Sequence, residues 1–313
     1  MLGASTTQLF RNLSYALNFT DGNIIISQID HEANIASWVD FAQRHGLAIK
    51  WWKASEGTNP KLLASDLKEL LTQDTRLVTC CHASNILGTI NDVRAIADEV
   101  HKQPGALFCV DGVAYAPHRP IDVQAFGVDF YAFSWYKVYG PHQSILYGSL
   151  QAQKSLRSLG HSFNPSKTLE DKLGLAGSSY ELTQSLTAVL DYLGPKGSPT
   201  WDGVIQHEQL LQTTLLKYLN GREDVTIYGE TSDDGSIRVP TISFVARGWK
   251  PQHLVEAVEK VSNIGFRWGA FYSNRLVESL GLAVSEGVTR VSMVHYNTGM
   301  ILFRPLLSAA RLT

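Results

Sequence analysis

Short continuous apolar runs alternate with segments whose apolar positions recur every three or four residues through the first half of the chain. Unbroken runs fit strands buried on both faces of a sheet, and the wider period fits the helices that cover them. Ile24-Ile25-Ile26 is the first clear strand. A helix over Ala33 to Arg44, a strand over Leu47 to Trp52, a helix over Lys61 to Leu71 and a strand over Leu77 to His82 follow it. The series continues with a helix over Asp92 to His101, strands over Ala106 to Val110 and Val128 to Phe133, and a helical turn at Asp122 to Phe126 between them. Gly140 to Tyr147 then crosses back into the sheet. Such alternation predicts an α/β fold, a mostly parallel central sheet with helices on both faces.

Ahead of the first strand, Leu9, Phe10, Leu13, Ala16 and Leu17 lie on one face of a helix that begins at Ser5-Thr6-Thr7. Beyond about residue 150 the texture changes, with Ser, Pro and Gly clustered at 160–166 and 194–199 and a connecting helix over Tyr180 to Leu193 between them. A helix around Ile205 to Leu219, a strand over Thr241 to Val245, a helix over Pro251 to Val261 and a strand over Arg290 to His295 then form a smaller α+β domain. The expected division is a large domain over residues 1–195 and a small one over 196–313.

At 313 residues and 44% hydrophobic, the chain can bury one large core or two smaller ones. A net charge of −2 without charged blocks gives no nucleic-acid or membrane footprint, which leaves small-molecule chemistry. No apolar stretch has membrane-spanning length. Cys80, Cys81 and Cys109 sit in apolar runs and read as buried core thiols of a reducing compartment, so the expected address is the cytosol. No metal is expected.

Ligands of open α/β sheets bind beyond the carboxyl ends of the strands. His31, Asn85, Asp111 and Lys137 all fall within a few residues of such ends. Lys137 lies in Phe133-Ser134-Trp135-Tyr136-Lys137-Val138-Tyr139-Gly140, where aromatic neighbours are expected to strip water from its amine and free it for Schiff-base chemistry. Asp111 suits a partner that keeps a pyridinium nitrogen protonated, and together the two read as the site of pyridoxal 5'-phosphate. Ser5 and Thr6, at a helix start, offer a phosphate site as well as an ordinary cap. A Rossmann nucleotide site is the weaker reading, because no Gly-x-Gly-x-x-Gly opens a helix after the first strand.

GASTTQL at the start, DHEAN around His31, HASNILGTIN around Asn85, VDGVAYAPHRPIDVQAFGVDFYAFSWYKVYGP through Lys137 and RVSMVHYNT from Arg290 resemble the class V aminotransferase group of fold-type-I pyridoxal-phosphate enzymes. The resemblance covers roughly residues 2 to 298, and its nearest branch is the cysteine desulfurase-like proteins, with epimerase-like enzymes and carbon–sulfur lyases as relatives. It implies that Lys137 holds the cofactor covalently and later moves the substrate α-proton, that Asp111 pairs with the pyridine nitrogen and that His31 stacks on the ring. Asn85 is implied near the cofactor's phenolic oxygen or the substrate carboxylate. Ser5, Thr6 and Ser134 are implied around the phosphate, with Ser178 added from a neighbouring subunit of a homodimer. Arg290 is implied to grip the carboxylate of an α-amino acid through two parallel N–H bonds.

Departures from the family narrow the chemistry. Ala114 stands where desulfurases commonly have glutamine, and Tyr136 where they have histidine before the lysine. The loop Arg267-Trp268-Gly269-Ala270-Phe271-Tyr272 matches the region of their persulfide-forming cysteine and contains no cysteine. A lyase, epimerase-like or other α-carbon reaction on an amino acid is therefore favoured over sulfur abstraction by an enzyme thiolate. Met1 falls almost on the phosphate loop, and Gly299 to Pro305 replaces the expected terminal helix with an apolar, proline-broken tail. The expectation is a shortened chain of reduced activity, with a non-catalytic homologue that keeps the fold as the alternative.

Overall fold

The computed structural model describes residues 1–174 and 177–298, so the tail from Gly299 to Pro305 lies outside the described residues. Contacts divide the chain into two compact units. The first comprises Met1–Ala54, Leu62–His82 and Asn91–Lys196; the second comprises Ser55–Lys61, Ala83–Ile90 and the chain from Gly197 onward.

Along the first unit run β1 (Leu2–Gly3), α1 (Thr6–Ala16), β2 (Asn23–Ser27), α2 (Ala33–His45), β3 (Ala48–Trp52), α3 (Ala64–Leu70) and β4 (Thr75–Cys81). They are followed by α4 (Val93–Val100), β5 (Leu107–Asp111), α5 (Val123–Phe126), β6 (Phe130–Ser134), β7 (Ser144–Gly148), α6 (Leu169–Leu173) and α7 (Tyr180–Leu193). Among the described residues this unit carries a seven-stranded sheet in the order β1-β7-β6-β5-β4-β2-β3. The ladders from β3 through β6 are parallel, while β7 runs antiparallel to β6 and β1 antiparallel to β7. This is the fold class that the apolar runs predict. Every residue of β2, β5 and β6 is buried, which is why these strands read as unbroken apolar runs. Ile24 and Ile26 share a core cluster with Phe10 and Leu13 of α1 and Trp38 and Phe41 of α2.

Two elements of this unit escape the hydrophobic pattern. β1 is two residues long and has no period to read, and α3 begins at Ala64 instead of Lys61. The delay has a local cause: the backbone of Ser55 donates to the carbonyl of Lys61, and the backbone of Lys61 donates to Ser55 Oγ, which holds this stretch as a closed loop.

The second unit carries α8 (Pro199–Asn220), β8 (Val225–Tyr228), β9 (Thr241–Ala246), α9 (Pro251–Val261), β10 (Arg267–Gly269), α10 (Asn274–Ser279) and β11 (Val288–Ser292). Its antiparallel sheet has the order β10-β11-β9-β8. β11 starts and ends earlier than the apolar pattern around Arg290 implies, because its ladder runs from Val288 opposite Gly269 to Ser292 opposite Thr241. α8 extends back to Pro199, whose fixed φ suits the first helical position, and the Ser198 hydroxyl accepts from the Trp201 amide as the N-cap.

Where the chain leaves β5, Gly112 lies against the Tyr131 ring, and a Cβ added there would collide with it. The Gly112 amide also donates to the Ala132 carbonyl at 2.8 Å, so the backbone has no room to withdraw. Gly112→Ala is expected to lower stability by about 1–3 kcal/mol through overpacking, read as a fall in the urea midpoint at unchanged slope. An unchanged midpoint would show that the strand end yields freely.

Candidate active site

The carboxyl ends of β2, β4 and β5 bring together a row of buried polar side chains in the first unit. Asp111 ends β5 and is buried; its Oδ1 accepts the Val113 amide at 2.8 Å, a short local turn that fixes the carboxyl after the strand stops. Burial pushes its pKa up to about 6 against the opposing pull of the Val113 amide and of the Lys137 ammonium.

Lys137 ends a single 3-10 turn, Trp135–Lys137, just past β6. The side chain is exposed, while Trp135 and Phe133 turn inward and Tyr136 stacks on His142 at 5.0 Å. The aromatics expected to enclose Lys137 thus leave it exposed in this structure. What the geometry retains is the electrostatic coupling between its ammonium and the Asp111 carboxyl.

His31 lies between β2 and α2, half-buried, and its Nδ1 accepts the Ala33 amide at 3.0 Å. A ring nitrogen that accepts carries no proton, so the neutral ring carries its proton on Nε2. The sequence reading passed over its neighbour Asp30. That carboxyl is almost wholly buried, accepting Ser27 Oγ at Oδ1 and Asn34 Nδ2 at Oδ2, both at 2.7 Å, and Trp38 Nε1 in turn donates to Asn34 Oδ1 at 2.9 Å. Burial raises Asp30 to about 7, opposed by hydrogen bonds from Ser27, Asn34 and the Cys81 thiol and reinforced by the charge of Asp111. The spacing Ser27-x-x-Asp30-x-x-x-Asn34-x-x-x-Trp38 was the available clue, since it places a hydroxyl, a carboxyl, an amide and an indole around one strand-to-helix turn.

Hydroxyls gather at the start of α1. Ser5 is its N-cap, with Oγ accepting the Gln8 amide at 3.1 Å, and Thr6 Oγ1 lies 2.7 Å from Ser134 Oγ. Ser144, at the start of β7 and not anticipated, closes the group at 2.8 Å from Ser134 Oγ. Ser178 lies in a cavity of about 470 Å³ lined also by Gly3, Gln143 and Thr183. Gln143 Nε2 donates to Thr183 Oγ1 at 3.2 Å, tying the start of α7 to the residue that precedes β7.

Behind Asp111, His82 stacks on Tyr115 at 3.6 Å and bonds Tyr131 Oη through Nδ1 at 2.8 Å. Burial drives its pKa down to about 3, so this ring is neutral packing beneath the site. Burial also raises all three cysteine thiols well above their usual value, which makes them poor nucleophiles.

Asn85 and Arg290 belong to the second unit and meet there. Arg290 Nη1 donates to the Asn85 carbonyl at 2.8 Å, and its guanidinium carbon sits 3.7 Å from the centre of the Phe271 ring. Burial lowers Arg290 to about 10, which leaves it cationic at neutral pH. The side-chain amide of Asn85 is spent on the neighbouring loop, donating to the Phe271 carbonyl at 2.9 Å and accepting Ser273 Oγ at 3.0 Å.

The donor set of the first unit fits pyridoxal 5'-phosphate. A buried carboxyl at the end of a strand matches a protonated ring nitrogen, hydroxyls at the mouth of an eleven-residue helix match a phosphate, and a cationic amine lies within electrostatic reach of that carboxyl. No group of three or more metal-ligating side chains occurs among the described residues.

Comparison with known proteins agrees. The family profile described as Aminotransferase class-V matches residues 3–300. The chain is 57% identical over 300 residues to the aminotransferase-like protein FGM3 of Gibberella zeae, covering 95% of this chain and 74% of that protein. It is 39% identical over 306 residues to the cysteine desulfurase-like protein ustD of Aspergillus flavus, covering 95% and 69%. The cysteine desulfurase CsdA of Escherichia coli superposes with a TM-score of 0.85 at 24% identity, over 99% of this chain and 78% of that one, a likeness of fold. On the matched family, the identity to these relatives and the shared fold, the chain belongs to the class V aminotransferases, in their cysteine desulfurase-like branch.

Proposed function

We propose that Lys137 holds pyridoxal 5'-phosphate and that the enzyme acts with it on an α-amino acid, by a desulfurase-like or C–S lyase-like reaction that uses no enzyme thiol. The observation that carries this reading is the buried Asp111 carboxyl, raised by burial and opposed by the charge of Lys137. The cofactor supplies an electron sink for a carbanion at the substrate α-carbon. Around it the chain's own groups take separate tasks. Asp111 would accept from the protonated ring nitrogen, and the His31 ring would cover one face of the cofactor. Ser5, Thr6 and Ser134 would bind the phosphate with the first amides of α1, assisted by Ser178 of a second copy in a homodimer. The Lys137 amine, once released, would take and return the α-proton. Arg290 would bind the substrate carboxylate, positioned by the carbonyl of Asn85. Free thiols at Cys80, Cys81 and Cys109 fit a reducing, cytosolic setting, and no helix of the described residues is long and apolar enough to cross a membrane.

Borohydride reduction of the holoenzyme followed by peptide mapping is expected to label Lys137. A label on another lysine would overturn the assignment.

Asp111→Asn should retain the cofactor but slow α-proton exchange of L-alanine in D2O by more than about 10²-fold, because an amide cannot stabilise the ring proton. The same substitution acts on stability with a defined sign. The folded pKa of Asp111, about 6, lies above its usual 3.8, so the folded apoprotein keeps a proton that the unfolded chain releases. Its contribution is present below pH 4 and is lost as pH rises towards 6, by up to about 1.4 kcal/mol per pH unit. In apoprotein, Asp111→Asn is therefore expected to gain stability over the parent at pH 7.5 but not at pH 3.5, read from urea midpoints.

With L-cysteine as substrate, alkylation and mass analysis should find no persulfide on Cys80, Cys81 or Cys109, whose thiols are buried and protonated. Trapping one on any of them would contradict the thiol-free reaction.

A further inference from the structure

The loop that joins β10 to α10 holds two consecutive residues, Phe271 at φ 49° and Tyr272 at φ 59°, in the left-handed region. Neither is glycine, and a side chain crowds the backbone in that region, so the conformation persists only where the surroundings impose it. Here they do. Asn85 clamps the loop from both ends with its one side chain, Nδ2 on the Phe271 carbonyl and Oδ1 on the Ser273 hydroxyl, while the Ser273 amide donates to the Ala270 carbonyl at 2.8 Å. The result of this strain is the placement of one ring, with the Phe271 centroid 3.7 Å from Arg290 Cζ.

Arg290 is thereby held on two sides. Nη1 is fixed to the Asn85 carbonyl, and one face of the guanidinium is covered by Phe271. Nε is buried and has no hydrogen-bond partner among the described residues. A buried guanidinium donor without an acceptor is costly unless a ligand supplies one, and Nε with Nη2 forms the edge that matches both oxygens of a carboxylate. Arg290 pairs with Ser243 and Arg267 across the sheet; Ser243 Oγ is turned to the Ile86 carbonyl, and a guanidinium such as that of Arg267 has no acceptor to offer.

We propose that Phe271 is a positioning residue for substrate binding: its ring, set by the Asn85 clamp, orients the Arg290 guanidinium so that the Nε edge receives the carboxylate. The inference rests on the reading of Arg290 as the carboxylate-binding residue. It assigns a task to the loop that lacks the desulfurase cysteine, in which an aromatic platform now serves substrate binding instead of sulfur transfer.

The test is titration of the holoenzyme with L-alanine, L-cysteine and L-aspartate, followed by the visible absorbance of the cofactor. Phe271→Leu keeps an apolar side chain and the strained backbone but removes the π face. It is expected to weaken binding by roughly tenfold, the scale of one partly desolvated cation–π contact, with the spectrum before amino-acid addition unchanged. Phe271→Tyr retains the ring and should restore binding to within about twofold. Ser273→Ala, which loosens the clamp without touching Arg290, should weaken binding in the same direction and serves if Phe271→Leu does not fold. Arg290→Lys separates the two levels of the argument. If Arg290→Lys weakens binding and Phe271→Leu does not, or if Phe271→Tyr is as impaired as Phe271→Leu, the role of Phe271 is overturned and that of Arg290 stands. If Arg290→Lys binds all three amino acids normally, the carboxylate is held elsewhere and both fall.

Discussion

A carboxyl group buried at the end of a strand is the constraint around which the first unit is arranged. Moving an ionised carboxylate out of water is costly, and Asp111 meets that cost with one backbone amide and the nearby charge of Lys137. The strand cannot shift to expose it, because Gly112 is wedged against Tyr131 and the backbone of His82 donates to the Asp111 carbonyl. A second buried acid, Asp30, is raised by burial and also feels the charge of Asp111. An ionised Asp111 therefore favours a proton on Asp30. In this view the Ser27, Asn34 and Trp38 bonds do more than anchor α2, since they decide how readily Asp30 gives up its proton.

The strand ends were legible because buried parallel strands announce themselves as apolar runs and ligands gather at their carboxyl termini. Asp111 and His31 follow from that rule, and the fully buried β5 and β6 explain why. Elements without a period stayed hidden: β1 depends on pairing with β7, and the late start of α3 depends on a loop closed by Ser55. Side-chain networks were harder still. Asp30 is adjacent to His31 in sequence, yet its importance lies in three bonds that only the turn into α2 brings together. Aromatic letters beside Lys137 were misleading for the opposite reason, because a 3-10 turn sends Trp135 inward and the lysine outward. In the second unit, Asn85 and Arg290 were both legible from the family motifs, whereas the use of the Asn85 amide on the Phe271 loop was not, since the two lie 186 positions apart.

That separation recurs through the second unit and bears on how the protein is made. Its sheet and loops are completed by two short segments from early in the chain: Thr58 accepts the Gly229 amide, Gly88 accepts the Val239 amide, Ile86 accepts Ser243 Oγ, and Ile90 donates to Ile237. Each of these bonds joins residues more than 140 positions apart. During synthesis, Ser55–Lys61 and Ala83–Ile90 leave the ribosome long before the strands they complete, and must wait unpaired while the parallel sheet forms around their flanks. The chain from Gly197 onward, made alone, would lack these partners. Dependence on long-range closure makes the clamp on Phe271 a late feature to assemble, so the residues proposed to grip substrate would become competent only after β9 to β11 have met the segments Ser55–Lys61 and Ala83–Ile90.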